Sequence, residues 1–107
     1  MTPEDVRITI LGLTREQTKG PDAHYDAEVA AERAEDEYHS LYDRAFLDAE
    51  GNIPEREAQA RLVTRPAREA AFVARAVHNR VKLKMKQLDS SIMAHQSVLK
   101  AMLAEGA

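Results

Sequence analysis

Residues 67–104 read AREAAFVARAVHNRVKLKMKQLDSSIMAHQSVLKAMLA, and this stretch decides the fold. Along it, small and apolar side chains and two histidines recur at alternating steps of 4 and 3: Ala71, Ala74, His78, Val81, Met85, Leu88, Ile92, His95, Leu99 and Met102. Heptads sustained over this length predict one long helix with a continuous seam for other helices. At about 1.5 Å per residue, the helix is longer than a compact domain of this size can cover. We therefore expect its far end to pack on another copy of the chain, through Val81, Met85, Leu88, Ile92, His95, Leu99 and Met102.

A second helical pattern precedes this one, over residues 22–50. Its apolar stripe also follows steps of 4 and 3: Ala27, Ala31, Ala34, Tyr38, Leu41 and Ala45. Gly51 stops this helix, and Asn52 and Pro54 open the next one, so the short turn predicts an antiparallel hairpin. Pro66 lies inside the second pattern and predicts a kink or a restart there, with Thr64 as a cap.

The first 20 residues give two conflicting signals. Thr2 and Pro3, followed by two acids, are typical of a helix start, whereas Val6, Ile8 and Ile10 alternate with polar residues as in a strand. We expect a short helix to about residue 18, with the strand as the alternative. The Gly20-Pro21 pair then breaks the chain.

These patterns together predict an all-α fold and a single helical domain, residues 1–107. It is an antiparallel helical hairpin whose long C-terminal helix is kinked at Pro66 and makes coiled-coil-like oligomer contacts. Its parts are an N-terminal segment (1–20), an acidic helix (22–50) and a basic long helix (54–104).

Several classes of function find no support in the sequence. We find no nucleophile with a neighbouring base and no glycine-rich phosphate loop, so we expect neither an enzyme nor a cofactor. The chain has no cysteine, and His78 and His95 are 17 residues apart, so we predict no metal site and assign these histidines to helix register. No apolar run reaches the length of about 20 residues that a membrane span needs, so we expect a cytoplasmic protein without a membrane partner.

The charges are sorted along the chain. Residues 1–60 carry six Lys and Arg against fifteen Asp and Glu, a net charge of −9, and residues 61–107 carry nine against three, a net charge of +6. Such asymmetry indicates a partner of opposite charge, which is either a polyanion or the other arm of the same protein.

Most of the positive charge follows one face of the long helix, one position round from the seam. At steps of 4 and 3 this face carries Arg61, Arg65, Arg68, Phe72, Arg75, Asn79, Lys82 and Lys86. Cations that follow phosphates and a flat side chain on which bases stack are what sequence-independent nucleic-acid binding requires. Alternatively, the same cations pair with the acidic helix and Phe72 belongs to the rim of the core, and the sequence leaves both interpretations open.

The aromatic stretch Tyr38–Gly51, followed by Glu55–Ala58, and the run Val81–Lys100 resemble small helical proteins encoded by tailed phages and prophages. That layout is similar to the UvsY-type recombination mediators. The positions that carry the resemblance are Tyr42, Phe46, Gly51, Lys82, Lys84, Lys86, Gln96 and Ser97. The resemblance implies an oligomer that binds single-stranded DNA and helps to load a RecA-like recombinase, in the host-cell cytoplasm if the chain is phage-encoded.

Two functions follow as expectations. The first is a non-catalytic accessory protein of phage-type DNA recombination, in which Arg61, Arg65, Arg68, Arg75, Lys82 and Lys86 contact phosphates and Phe72 contacts a base. The second is a non-enzymatic interaction protein, regulatory or concerned with virion assembly, that binds another protein through the Val81–Met102 seam.

Overall fold

The computed structural model describes residues 1–106, which form four helices and no strand. Helix α1 spans Pro3–Thr18, α2 spans Gly20–Asp48, α3 spans Ile53–Val63 and α4 spans Arg65–Gly106. The predicted all-α fold with a long C-terminal helix is therefore confirmed.

The N-terminal segment is a helix, and the strand alternative is wrong for residues 6–13. The Thr2 hydroxyl accepts from the backbone N–H of Asp5 (3.2 Å), and the Asp5 carboxylate accepts from the backbone N–H of Thr2 (2.9 Å). This reciprocal capping box satisfies two donors at the helix start, and Pro3 fits the first turn because its missing donor would lack a partner there. Local capping thus outweighs the β-branched alternation of Val6, Ile8 and Ile10.

Local backbone conformation and hydrogen bonds stabilise the turn between α2 and α3. Gly51 has a φ of 108°, a left-handed conformation that glycine adopts without steric cost. The Asn52 side chain accepts from the backbone N–H of Glu55 at 3.0 Å and so caps α3. Arg56 and Gln59 donate back to the carbonyl oxygens of Gly51 and Glu50, at 3.0 and 2.9 Å. Side chains from α3 thereby satisfy acceptors that the end of α2 leaves open.

The restart predicted at Pro66 is present, and it divides the predicted 54–104 helix into α3 and α4 at Thr64. Thr64 has a φ of −97° and a ψ of 6°, and its backbone N–H still donates to Ala60 O at 3.0 Å. Its buried hydroxyl donates to that same Ala60 oxygen at 2.6 Å. Thr64 therefore lies at the predicted cap position directly before α4, where its carbonyl oxygen accepts from the backbone N–H of Arg68 at 3.0 Å, while its hydroxyl turns back to α3.

The described chain packs as two compact units, and unit 2 is the continuous one, residues 25–79. It contains most of α2, all of α3 and the start of α4. Apart from His78, its buried residues are small: Ala27, Ala31, Ala60, Thr64 and Ala71. Glu35 of α2 pairs with Arg75 of α4, and Leu41 and Ala45 of α2 line a depression with Val63 of α3, so α2 runs antiparallel to α3 and the start of α4. The predicted antiparallel hairpin is thus present, and alanine contacts let its helices approach closely.

Unit 1 combines residues 1–24 with residues 80–106. The Gln17 amide donates to the Asp89 carboxylate, and the backbone of Gly20 lies against Met85. From Gln17 at the end of α1 to Gly20 at the start of α2, the neighbouring position in α4 falls from 89 to 85, so this stretch of the chain runs antiparallel to α4. Val6 from α1 and Ile92 from α4 are the buried apolar side chains of this unit.

Substitutions in α1 test this packing. Val6 is fully buried, whereas Ile8, two residues later, is 61% exposed. We expect Val6→Ala to lower the free energy of unfolding by about 1 to 3 kcal/mol, because it removes buried methyl groups and leaves a cavity. Ile8→Ala is the matched control, with the same gain in helix propensity and an expected change within about 0.5 kcal/mol. Urea unfolding followed by circular dichroism measures both, and equal losses would contradict the packing of α1 on α4.

Candidate nucleic-acid interface

The predicted basic face divides between the two units, and unit 2 holds its aromatic residue. Phe72 is 75% exposed on α4. Arg65 and Arg68, exposed on the preceding two turns, line a shallow depression together with Phe72, Glu69 and Val73. A large aromatic ring is therefore exposed to water beside guanidinium groups. We call this surface, Arg65, Arg68 and Phe72, the arginine–phenylalanine patch.

The cations of this patch are free of strong ion pairs in unit 2. Within its described residues, no carboxylate lies within 4.0 Å of the Arg65 or Arg68 guanidinium. Arg61 reaches Glu57 one turn earlier at 4.0 Å, and both side chains are about half exposed, 59% and 46%. A surface pair of this kind is worth less than about 1 kcal/mol, so Arg61 can exchange its partner for a phosphate at little cost.

Arg75 differs from the other arginines, although the sequence places it on the same face. Its Nε and Nη2 donate to the two carboxylate oxygens of Glu35, each at 2.8 Å, and its Nη1 lies 2.9 Å from His78 Nδ1. Because a guanidinium only donates, His78 Nδ1 is the acceptor in this contact. Arg75 is half-buried and pairs with a carboxylate of α2, as the alternative interpretation of the sequence expects of every cation on this face. It therefore does not belong to the open cationic surface.

The ion pair between Glu35 and Arg75 shifts the pKa of both side chains. The hydrogen bonds that Arg75 donates hold the pKa of Glu35 below its ordinary value of 4.5, against the smaller opposing effect of desolvation. The same hydrogen bonds raise the pKa of Arg75. A bidentate, charge-assisted pair fixes both the spacing and the register of two helices, which is the structural role we assign to it.

His78, expected to set helix register, is 4% exposed in unit 2. Besides its contact with Arg75, its ring has a nitrogen within 4.8 Å of a carboxylate oxygen of Glu28 on α2. Glu28 thus places a carboxylate close to this ring within unit 2. Sequence reasoning missed the pair because its members lie 50 residues apart on different helices.

The remaining predicted cations, Lys82 and Lys86, lie in unit 1 and are exposed on α4. Among the described residues of that unit, no carboxylate comes within 4.0 Å of either ammonium. They add positive charge but have no exposed aromatic neighbour comparable to Phe72.

The predicted oligomer seam lies in unit 1, where α1 packs on α4. Ile92 is buried and the other seam residues are half-buried: Val81, Met85, Leu88, His95, Leu99 and Met102. His95 Nδ1 lies 2.7 Å from the carbonyl oxygen of Ser91 on its own helix. The seam is thus partly covered by the chain itself, and contacts through it with another copy stay a prediction.

The aromatic positions behind the resemblance are structural in this chain. Tyr42 is half-buried and meets Tyr38 edge to face, with ring centroids 6.4 Å apart. Phe46 is half-buried one turn later, and Gly51 forms the turn described above. These residues shape the end of the hairpin.

Comparison with family models, with characterised proteins and with solved structures finds no match for this chain. The resemblance to UvsY-type mediators therefore stays an expectation from the sequence. None of the helices in residues 1–106 has the length and apolar character needed to cross a bilayer.

The pKa of Glu35 predicts a specific acid sensitivity. Because folding depresses this pKa, the ion pair contributes stability above about pH 4.5 and loses it as the pH falls through the folded-state value. We expect Glu35→Gln to lower the melting temperature at pH 7, and the difference from the wild type to shrink as the pH falls below about 4.5 and through the folded-state pKa of Glu35.

Thermal melts from pH 7 to pH 3 check this prediction. Glu37→Gln is the matched control, because Glu37 is exposed on the same helix and has no cation of the described part of unit 2 within 4.0 Å. A constant difference between wild type and Glu35→Gln across this range would show that the pair does not act through ionisation.

Proposed function

We propose that this chain binds single-stranded DNA without sequence preference and without catalysis, through the arginine–phenylalanine patch. Arg65 and Arg68 contact phosphates, Arg61 contributes after releasing Glu57, and a base stacks on Phe72. The single observation that carries this proposal is Phe72, 75% exposed beside two arginines whose guanidinium groups have no carboxylate of the described part of unit 2 within 4.0 Å.

The chemistry of the patch favours single strands over duplex. A duplex keeps the faces of its bases stacked on each other, so an exposed ring has nothing to stack on, whereas a single strand offers every base. Guanidinium groups add bidentate contacts to phosphate and can themselves stack on bases. Glu69 in the same depression repels phosphate, which limits affinity and predicts binding in the micromolar range.

A single aromatic residue gives each chain one stacking contact, so a useful affinity calls for several copies on one strand. We propose a homo-oligomer for this reason, and Lys82 and Lys86 as further phosphate contacts in it. A role as accessory to a recombinase in a phage-infected cytoplasm rests on the sequence resemblance. In that role the acidic helix α2 is the surface offered to the recombinase.

The proposal is tested by fluorescence anisotropy with a labelled oligothymidylate at 50 and 200 mM salt. We expect binding that falls steeply with salt, and a salt slope reduced by about 0.7 for each of Arg65→Gln and Arg68→Gln. Phe72→Ala should weaken binding by about tenfold with an unchanged slope, because one base–aromatic contact is worth about 1 to 3 kcal/mol.

The matched control is Arg33→Gln, which removes an exposed arginine of α2 in the same unit. It should leave the slope and the affinity unchanged. Absence of binding at 50 mM salt, or an equal effect of Phe72→Ala and Arg33→Gln, would overturn the proposal.

A second candidate is supported by a different observation. Val81, Met85 and Leu88 keep part of their apolar surface uncovered by α1 and line a groove in unit 1. This favours an interaction protein that binds a partner through the N-terminal part of the predicted seam.

A further inference from the structure

The groove in unit 1 lies between the junction of α1 and α2 and the stretch of α4 from Val81 to Leu88. Val81, Met85 and Leu88 form the apolar floor of the groove, and the backbone of Gly20 and the methyl group of Ala23 lie opposite this floor. The backbone of Gly20 lies close against Met85, whereas Ala23 is small and exposed and leaves the rest of the groove open. This floor extends over two turns of α4, about 10 Å, which is room for one or two large apolar side chains.

Lysine ammonium groups flank this apolar floor. Lys19 and Lys84 are exposed at its edge. The acid at the edge is Glu16, which pairs with Lys19 at 3.4 Å, so it neutralises part of that charge. All five lysines of the chain lie in unit 1, whose two segments, residues 1–24 and 80–106, together carry eight cations against six acids, a net charge of +2. The groove is therefore apolar at its floor and positive at its edge.

We propose that this groove binds an acidic amphipathic segment of another protein, one with Asp and Glu around one or two large apolar side chains. The inference rests on the second candidate function and names its partner by chemistry. Charge complementarity carries it: an acidic flank gains attraction from Lys19 and Lys84, while the apolar anchor displaces water from Met85 and Leu88. Methionine adapts its shape to different anchors, which suits a floor that accepts more than one sequence.

Nucleic acid fits this groove poorly, although the edge is cationic. The side chains on its floor are aliphatic or thioether, so a base finds no aromatic face on which to stack. Phosphates would meet the lysines but leave the apolar floor uncovered. The acidic peptide uses both features and is the better match.

The test uses the full chain and a fluorescein-labelled synthetic peptide of glutamate and aspartate, with Leu and Phe four residues apart. We expect binding by fluorescence anisotropy, weakened about tenfold by Lys84→Glu. Lys100→Glu, an equal charge reversal on the same helix away from the groove, should change the affinity less than about twofold. Glu16→Gln should strengthen binding, because it removes the acid at the edge.

The groove itself is tested by Ala23→Leu, which fills it from an exposed position and so leaves the fold intact. Peptide binding should be lost while the melting temperature is retained. A peptide with Lys in place of Asp and Glu, and one with Ala in place of Leu and Phe, should both fail to bind.

The proposal is overturned if Lys84→Glu and Lys100→Glu weaken binding equally, which would show a non-specific charge effect. It is also overturned if no acidic peptide binds but the chain self-associates and Ala23→Leu abolishes that association, since a second copy would then occupy the groove. Phe72→Ala should retain full peptide binding, so failure of the DNA proposal and failure of this one give different results.

Discussion

The apolar stripe of α4 must be covered along its length, and the rest of the molecule follows from this need. In unit 2 the cover is α2, and in unit 1 it is α1. Two helices that pack face to face bury only a stripe on each, so their other sides stay in water. In unit 2 the side left open carries Arg65, Arg68 and Phe72, and in unit 1 the partial cover leaves the groove beside Met85. Both candidate surfaces are thus consequences of covering a long helix with few partners.

The helix pattern could be predicted from the sequence because helix breaks are local. Gly51, Asn52 and Pro66 act through their own backbone preferences, and each marks a boundary that the structure contains. The partner of the far end of α4 could not be predicted, because it depends on long-range packing. The α1 positions that are buried or half-buried, Pro3, Val6, Ile10, Leu13 and Gln17, have helical spacing, yet the alternating Val6, Ile8 and Ile10 also allowed a strand. The stripe on α4 shows that a partner is needed without saying whether it comes from the same chain.

In the candidate interface, too, the sequence does not predict which single residues are covered by long-range packing. Arg68 and Arg75 are seven residues apart, so helical periodicity places them at equivalent positions. In the structure Arg68 is exposed, while Arg75 is held by both oxygens of Glu35. The difference depends on which α2 residue lies opposite, and that is fixed by the length and geometry of the α2–α3 turn. Spacing along one helix therefore predicts a basic face but not which of its cations are open.

The choice of cation separates the two surfaces further. Every cation in residues 25–79 is an arginine, whereas all lysines lie in residues 1–24 and 80–106. Arginine offers a planar group that contacts phosphate through two donors and stacks on flat rings, which suits the nucleotide binding that we propose beside Phe72. Lysine is a strongly hydrated point charge on a flexible aliphatic stem, and it can lay that stem along apolar surface while its ammonium stays in water. A groove with a thioether floor and a lysine edge therefore suits an acidic peptide, and an exposed ring beside arginines suits a nucleotide. The two surfaces that we propose on α4 thus suit two different kinds of partner.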